Sequence, residues 1–204
     1  VKAFKPRVYV QGSFGLGTVI KPITDVEDYD VDSVCEFELL NVSKLTQEDL
    51  KRRVGVEVRS YRVAKNMAKP VREGRRCWVL DYADGAQFHM DIVPAFTDVA
   101  RQRVLLEQAG YNAKWTTTAI AITDNERWNY KLISDDWCRS NPKGYIAWFR
   151  ERMQFELRRR YLAEAAKARV EDIPDYRVRT PLQSAIMLLK RHRDLRFATD
   201  QNKL

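Results

Sequence analysis

Tyr29-Asp30-Val31-Asp32-Ser33-Val34-Cys35-Glu36-Phe37 is a stretch in which an acidic pair opens an apolar run typical of a β-strand. Side chains at positions i and i+2 of a strand point to the same face of a sheet, so Asp30 and Asp32 are expected to lie side by side. Two neighbouring carboxylates repel each other unless a cation joins them, and their oxygens suit Mg²⁺ or Mn²⁺. The stretch therefore predicts a strand that carries metal ligands.

Two other motifs supply the groups that a metal-dependent nucleotidyl transfer site needs. Gly12 and Ser13 form a turn in which the glycine lets the backbone approach a triphosphate and the serine hydroxyl can bind its oxygens. Asp91 lies in a second apolar run, where a carboxylate is costly unless it is paired or bound to metal. With Asp30 and Asp32 it would complete a clamp for two ions about 3.5–4 Å apart.

The acidic cluster also offers a second pair with the same spacing, Asp28 and Asp30. Clustered acids are commonly solvated loop charge, and Gly-Ser pairs are common in turns. We favour Asp30 and Asp32 because the apolar strand follows directly after them. Asp28 is interpreted as a loop residue.

The composition is that of an ordinary globular protein of 204 residues, with 45% hydrophobic and 31% charged residues. No apolar run approaches the roughly 20 residues of a membrane helix, and no signal peptide opens the chain. Three cysteines without a C-x-x-C motif predict reduced thiols and a cytoplasmic protein. The net charge of +8 suits polyanionic partners, either nucleoside triphosphates or a nucleic acid.

Local patterns predict alternating strands and helices. The predicted strands cover 7–10, 31–40, 76–80, 87–93, 116–123 and 128–133, and Pro94 is expected to end the fourth. A hairpin turn is expected at Asp84-Gly85. The predicted helices cover 14–18, 47 to about 67 after a Thr46 N-cap, 145 to about 169, and a last segment opened by Thr180, Pro181 and Gln183.

Hydrophobic spacing predicts the buried faces of the last two helices. On the long helix these residues are Trp148, Met153, Phe155 and Leu162. On the final helix they are Leu182, Ile186 and Leu189, with Gln183 and Lys190 pointing away.

Four motifs, taken together and in this order, resemble the bacterial CD-NTases, the cyclic-oligonucleotide synthases related to cyclic GMP–AMP synthase and to oligoadenylate synthetases. They are Val10 to Thr18, Tyr29-Asp30-Val31-Asp32, Phe88 to Pro94, and Leu182 to Asp194. The resemblance implies an α+β, polymerase-β-like core with a mixed or antiparallel sheet flanked by helices, followed by the start of a helical second lobe. It also implies Mg²⁺ (or Mn²⁺), ATP as a substrate, and a cyclic second messenger in antiphage defence.

The resemblance assigns roles to individual residues. Asp30, Asp32 and Asp91 would be the catalytic metal ligands, and Gln11, Gly12, Ser13 and Lys190 would contact the nucleotide. Nucleoside triphosphates are the expected partners, with a nucleic acid or a protein as activator and no membrane. His89 and His192 are interpreted as structural or surface residues.

The same resemblance predicts how the chain is organised. Residues 1–135 would form the catalytic core, and 136–204 a helical region leading into a truncated C-terminal lobe. Because the chain begins at Val1 and ends soon after its last helix, we interpret it as a fragment.

Two other functions are consistent with parts of the sequence. A nucleotidyltransferase that modifies a small molecule or an RNA end would use the same metal site with another acceptor. A nucleic-acid-binding module with a dead site would use the positive charge, although the presence of all three acids argues against it.

Overall fold

The computed structural model describes residues 6–23, 29–38, 42–82, 88–165 and 179–197, without the side chains of 155–157, 160 and 163–165. The chain divides into two compact units. The first comprises Val1–Gly12 and Pro22–Tyr145, and the second comprises Ser13–Lys21 and Ile146–Leu204. The predicted division at residue 135 remains a prediction.

Seven strands form one sheet in the described part of the first unit: β1 Pro6–Val10, β2 Tyr29–Phe37, β3 Arg72–Glu73, β4 Trp78–Tyr82, β5 Phe88–Thr97, β6 Ile120–Ile122 and β7 Cys138–Ser140. The strand order is β1-β2-β5-β4-β3, and β6 pairs with the end of β5 and with β7. Only β2 and β5 run parallel among these pairs. The predicted α+β class with a mixed sheet is confirmed.

Helices and short 3₁₀ turns connect the strands. The helices are α1 Gly12–Leu16, α2 Gln47–Ala64, α3 Val99–Gln108, α4 Pro142–Ala165 and α5 Pro181–Arg196, and the 3₁₀ turns are Val42–Lys44 and Thr116–Thr118. None of the helices within the described ranges is long and apolar enough to cross a membrane.

Helix α2 supplies one wall of the main core. Its Thr46 N-cap accepts a hydrogen bond from the Asp49 backbone N–H (3.0 Å), and the Asp49 carboxylate accepts one from the Thr46 N–H. This capping box satisfies backbone donors that the first turn leaves open. The buried Leu50, Val54 and Val58 recur every four residues, so they form one stripe toward the sheet.

The two faces of the sheet have different environments. Cys35 and Phe37 of β2 belong to the large cluster that includes the α2 stripe. Val34 belongs instead to a smaller cluster with Ala95 and Ile120. Because side chains alternate along a strand, the even-numbered residues of β2 lie on the same side of the sheet as this smaller cluster.

Pro94 does not end its strand, contrary to the sequence-based expectation. Strand β5 continues to Thr97. On one edge β5 pairs with β4 up to Ile92, and on the same edge it pairs with β6 from Ala95 onward. Pro94 therefore occupies the gap between two antiparallel ladders, where its missing N–H removes no ladder hydrogen bond.

The predicted strand pair 116–123 and 128–133 is wrong. Only Ile120–Ile122 is a strand, and its new partner is Cys138–Ser140 rather than the segment that follows. Residues 124–132 form turns because their polar groups are bound in place. Asn129, which is fully buried, donates to the Asp136 carbonyl (2.7 Å) and accepts from the Gln47 side chain (3.1 Å).

Helix α4 begins three residues before the predicted start, at Pro142. Its predicted buried face is only partly correct. Met153 is buried, but Leu162 is 69% exposed, and the unpredicted Phe149 is buried. The side chain of Phe155 and the predicted helical residues 166–169 lie outside the described part.

The final helix has the predicted N-terminus, but its predicted core face is only partly covered. Thr180 caps it and forms a capping box with Gln183. Leu182 and Leu189 are 41% and 68% exposed, and Ile186 is half-buried, as are Gln183 and Lys190. These two polar residues are partly covered because, within this unit, Gln183 Nε2 donates to the Leu16 carbonyl (2.9 Å) and Lys190 Nζ to the Thr18 carbonyl (3.1 Å).

Smaller differences concern element ends. Helix α1 begins two residues before the predicted start, and β2 begins at Tyr29 rather than Val31, which brings the acidic pair into the strand. The antiparallel pairing of β4 with β5 confirms the predicted hairpin. Its predicted turn, together with Asp28 and residues 39–40, lies outside the described residues.

Candidate active site

The acidic residues of β2 and β5 lie side by side on one face of the sheet. The parallel register pairs Asp30 with His89 and Asp32 with Asp91. Register partners in adjacent strands share a face, and so do residues two apart along one strand. Four polar side chains therefore form a compact group, with the smaller apolar cluster following on the same face.

Three of these four residues approach one another closely enough to share an ion. One ligand atom each from Asp30, His89 and Asp91 lies within 4.8 Å of the other two. His89 Nε2 is 3.2 Å from Asp30 Oδ1, and the Asp30 side chain is 57% exposed. The group thus faces solvent at Asp30 and is more enclosed at its other two members.

One carboxylate oxygen of Asp91 accepts a hydrogen bond, and the other has no partner in the described part of the chain. Cys77 Sγ donates to Asp91 Oδ2 at 3.2 Å. Asp91 Oδ1 is buried and has no hydrogen-bond partner among the described residues. Burial, and then the hydrogen bond to Asp91, raise the pKa of the Cys77 thiol to about 12, so it stays protonated at neutral pH.

Gly12 and Gln11 pack against Asp32. Gly12 has a φ of +58°, and a Cβ at this position would lie only 2.0 Å from Asp32 Oδ2. The Gln11 backbone N–H donates to the Asp32 carbonyl at 2.8 Å. Glycine suits this position because it accommodates both the left-handed backbone and the close approach to Asp32. The predicted approach of Gly12 to a triphosphate stays a prediction.

The segment that carries Cys77 is held from two sides. Lys51 of α2, which is fully buried, donates through Nζ to the carbonyls of Gly74 and Arg75. Burial lowers the pKa of Lys51. On the other side, the Arg75 guanidinium binds both carboxylate oxygens of Asp124 at 2.8 and 2.9 Å.

A second ion pair borders the acidic face. Asp81 of β4 is the register partner of His89, and Arg72 binds its two oxygens at 3.0 and 3.1 Å. The hydrogen bonds from Arg72 lower the pKa of Asp81, which is therefore ionised and already neutralised by its partner.

The remaining predicted site residues belong to the second unit. Ser13 lies in α1, and its carbonyl accepts a hydrogen bond from the Thr18 N–H (2.9 Å). Lys190 lies in α5 and contacts the Thr18 carbonyl. Their nucleotide-binding roles stay predictions.

Sequence reasoning gave no site role to two residues of this group: it interpreted His89 as structural or surface, and it did not single out Cys77. His89 could have been found, because it lies two positions before Asp91 in a predicted strand and so must share its face. Cys77 could not, because its contact with Asp91 depends on the register of the β4–β5 hairpin.

The donor set fits a divalent cation. Carboxylate oxygens are the ligands that Mg²⁺ and Mn²⁺ prefer, and Asp30, Asp32 and Asp91 supply them from adjacent strands. A buried oxygen without a partner, such as Asp91 Oδ1, is costly unless it binds something. Both observations agree with the predicted metal ligands, whose assignment stays a prediction.

Comparison with solved structures identifies the fold. The CD-NTase CdnG of Bradyrhizobium diazoefficiens, solved in complex with GTP, matches 96% of this chain and 52% of that chain, with a TM-score of 0.60 and 24% identity. The cyclic AMP-GMP synthase DncV of Vibrio cholerae, solved with a linear intermediate, matches 74% of this chain and 37% of that chain, with a TM-score of 0.51 and 19% identity. The fold is therefore that of the DncV-like nucleotidyltransferases.

Sequence comparison finds a domain match over part of the chain. Residues 6–95 match the family "Cyclic GMP-AMP synthase DncV-like, nucleotidyltransferase domain". A c-di-GMP synthase of Roseivirga ehrenbergii and the cyclic dinucleotide synthase CdnG of Bradyrhizobium diazoefficiens are each 29% identical, over 198 and 211 residues, covering 96% of this chain and 44% of each relative. The chain spans about half the length of these relatives. Residues 6–95 therefore resemble the nucleotidyltransferase domain of that family, and the chain shares its fold.

Proposed function

We propose that the protein joins nucleoside triphosphates into a cyclic dinucleotide by metal-dependent nucleotidyl transfer. The observation that carries this proposal is the register of β2 and β5, which sets Asp30 and Asp32 beside Asp91 on one face. The names of two relatives, a c-di-GMP synthase and a cyclic dinucleotide synthase, support the reaction.

In this proposal Asp30, Asp32 and Asp91 hold the divalent cations, with Mg²⁺ or Mn²⁺ as the expected ion. Such ions, when bound, neutralise the triphosphate and favour the ionised form of the attacking ribose hydroxyl. Asp91 receives a hydrogen bond from Cys77 on one oxygen, which fixes the carboxylate and leaves the other oxygen available. Gly12 lets the backbone pass close to Asp32.

Four residues are proposed to contact the nucleotide: Gln11, Gly12, Ser13 and Lys190. For Gln11 the side chain would make the contact, because its backbone N–H is already bound to the Asp32 carbonyl. The Ser13 hydroxyl and the Lys190 ammonium are chemically suited to phosphate oxygens.

The identity of the nucleotide substrate and the cellular role are more specific proposals. ATP is the substrate that the family resemblance predicts, whereas the name c-di-GMP synthase and the GTP bound to CdnG favour guanosine nucleotides in those proteins. We therefore propose that GTP is accepted alone or together with ATP. A cytoplasmic location, an antiphage signalling role and a nucleic acid or protein activator are further parts of this proposal.

Incubation of the purified protein with Mg²⁺ and each nucleoside triphosphate, singly and in pairs, tests the reaction. After phosphatase treatment, mass spectrometry should detect a cyclic product that lacks terminal phosphates. Products that need an added small molecule or RNA would indicate the alternative nucleotidyltransferase. No turnover, together with salt-dependent DNA binding, would indicate a binding module instead.

A further inference from the structure

We propose that His89 is itself a metal ligand and that the ion it shares with Asp30 and Asp91 is a first-row transition dication, such as Mn²⁺, in preference to Mg²⁺. The proposal rests on the proposed function, since it takes the two aspartates as metal ligands. It concerns which ion the site selects rather than whether it binds one.

The first argument is distance. Ligand atoms of Asp30, His89 and Asp91 lie within 4.8 Å of one another. Two ligands on opposite sides of one ion are separated by about 4.0–4.4 Å when each bond is about 2.0–2.2 Å. Small side-chain rotations are therefore sufficient for all three residues to bind one ion.

The second argument concerns the carboxylates that surround His89. Its antiparallel register partner, Asp81, has both oxygens bound by Arg72. Asp30 Oδ1, by contrast, is 3.2 Å from His89 Nε2, and Asp91 Oδ1 is buried without a partner in the described part of the chain. A bound ion would satisfy this oxygen and both neighbours together.

The third argument is ligand chemistry. Mg²⁺ is a hard ion that prefers oxygen ligands and keeps several waters. Imidazole nitrogen favours first-row transition ions, whose affinities for a mixed nitrogen and oxygen site rise from Mn²⁺ toward Co²⁺. One nitrogen among oxygens therefore biases this position against Mg²⁺.

Metal affinities of the nucleotide-free protein test the proposal without reference to turnover. Mn²⁺ binding is measured from the electron paramagnetic resonance signal of the free ion, and Mg²⁺ binding by competition. His89→Gln should lower the preference for Mn²⁺ over Mg²⁺ at least fivefold, and a smaller change would overturn the proposal. His192→Gln is the matched control, because His192 is exposed on α5 and should leave the ratio unchanged.

A measurement on the parent protein decides the matter if the variant fails to fold. Mn²⁺ is added with inorganic tripolyphosphate, so that no nucleobase supplies nitrogen. Electron spin-echo envelope modulation should then reveal a directly bound nitrogen, and its absence would overturn the proposal. Nitrogen ligation without any cyclic product would leave this inference standing and contradict the proposed function. A cyclic product without nitrogen ligation would overturn this inference and leave the proposed function standing.

Discussion

We expect Asp30 and Asp32 to act through their charge, because the strand they open does not need carboxylates for packing. Asp30→Asn combined with Asp32→Asn should abolish nucleotidyl transfer while preserving the fold. In EDTA the double variant should be at least as stable as the parent, since two like charges on one face are removed. Product assays and thermal unfolding measure the two effects. Activity above a few per cent of the parent would show that these residues are not the metal ligands.

Cys77 is expected to position Asp91 rather than to react. Cys77→Ala removes the hydrogen bond to Asp91 Oδ2 and should lower kcat about tenfold, as for other partners of metal ligands. Its raised pKa of about 12 keeps the thiol protonated, so the ratio of parent to variant kcat should be constant from pH 7 to pH 9. Cys77→Ser, which retains a donor, should recover most of the activity. A ratio that changes across this pH range would indicate an ionising thiol.

At the scale of elements, Gly55 lets helix α2 approach strand β4. A Cβ at this position would lie 2.4 Å from the Trp78 ring, whose Nε1 is already bound to the Lys51 carbonyl. Gly55→Ala gains about 1 kcal/mol of helix propensity but overpacks a rigid aromatic contact that costs about 1–3 kcal/mol. We expect net destabilisation in urea unfolding. Ser60→Ala, on the exposed side of the same helix, should be neutral or slightly stabilising.

Helix α5 offers a matched pair for the predicted phosphate contact. Gln183 donates to the carbonyl of Leu16, the last residue of α1, and Lys190 donates to the carbonyl of Thr18. Lys190→Ala should lower stability by about 1 kcal/mol, and Gln183→Ala by more, because it also removes the capping-box bond to the Thr180 N–H. Only Lys190→Ala should also raise the KM for the nucleoside triphosphate, because only lysine carries a charge for the phosphates. Equal KM values for the two variants would assign Lys190 a purely structural role.

The β4–β5 hairpin shows why a contact can depend on register. A two-residue turn at Asp84-Gly85 would pair Trp78 with Asp91. The structure instead pairs Val79 with Asp91 and Trp78 with Ile92. A shift of one residue exchanges the faces of a strand, so the predicted turn would have placed the indole beside the acids and left it out of the core.

At the scale of the first unit as a whole, Asp124 links segments that are distant in sequence. It is fully buried, binds Arg75 and Arg76, and its backbone N–H donates to Gln47 of α2. Asp124→Asn should destabilise the protein by about 2–4 kcal/mol at pH 7, because Arg76 loses this carboxylate and Arg75 retains only the exposed Glu126. Asp135→Asn is the control, because its carboxylate is 82% exposed and its ion pair should contribute little.

The pH dependence provides a further check on this prediction. The hydrogen bonds from Arg75 hold the pKa of Asp124 well below its usual range. The unfolded chain therefore takes up the proton first as pH falls below about 4, and the stability that Asp124 contributes is lost there. The parent should lose more unfolding free energy than Asp124→Asn between pH 5 and pH 3. Parallel pH profiles would contradict the assignment.

The sequence by itself determined that Asp30, Asp32 and Asp91 lie on strands and that α2 and α5 begin with threonine caps. These features follow from short-range rules, because alternation along a strand and capping at a helix end involve neighbouring residues only. Tertiary structure decided the rest. It continued β5 through Pro94, paired β6 with β7, bound Gln183 and Lys190 of α5 to backbone carbonyls and brought Cys77 to Asp91. Each depends on which distant segment supplies hydrogen bonds, and no local pattern contains that information.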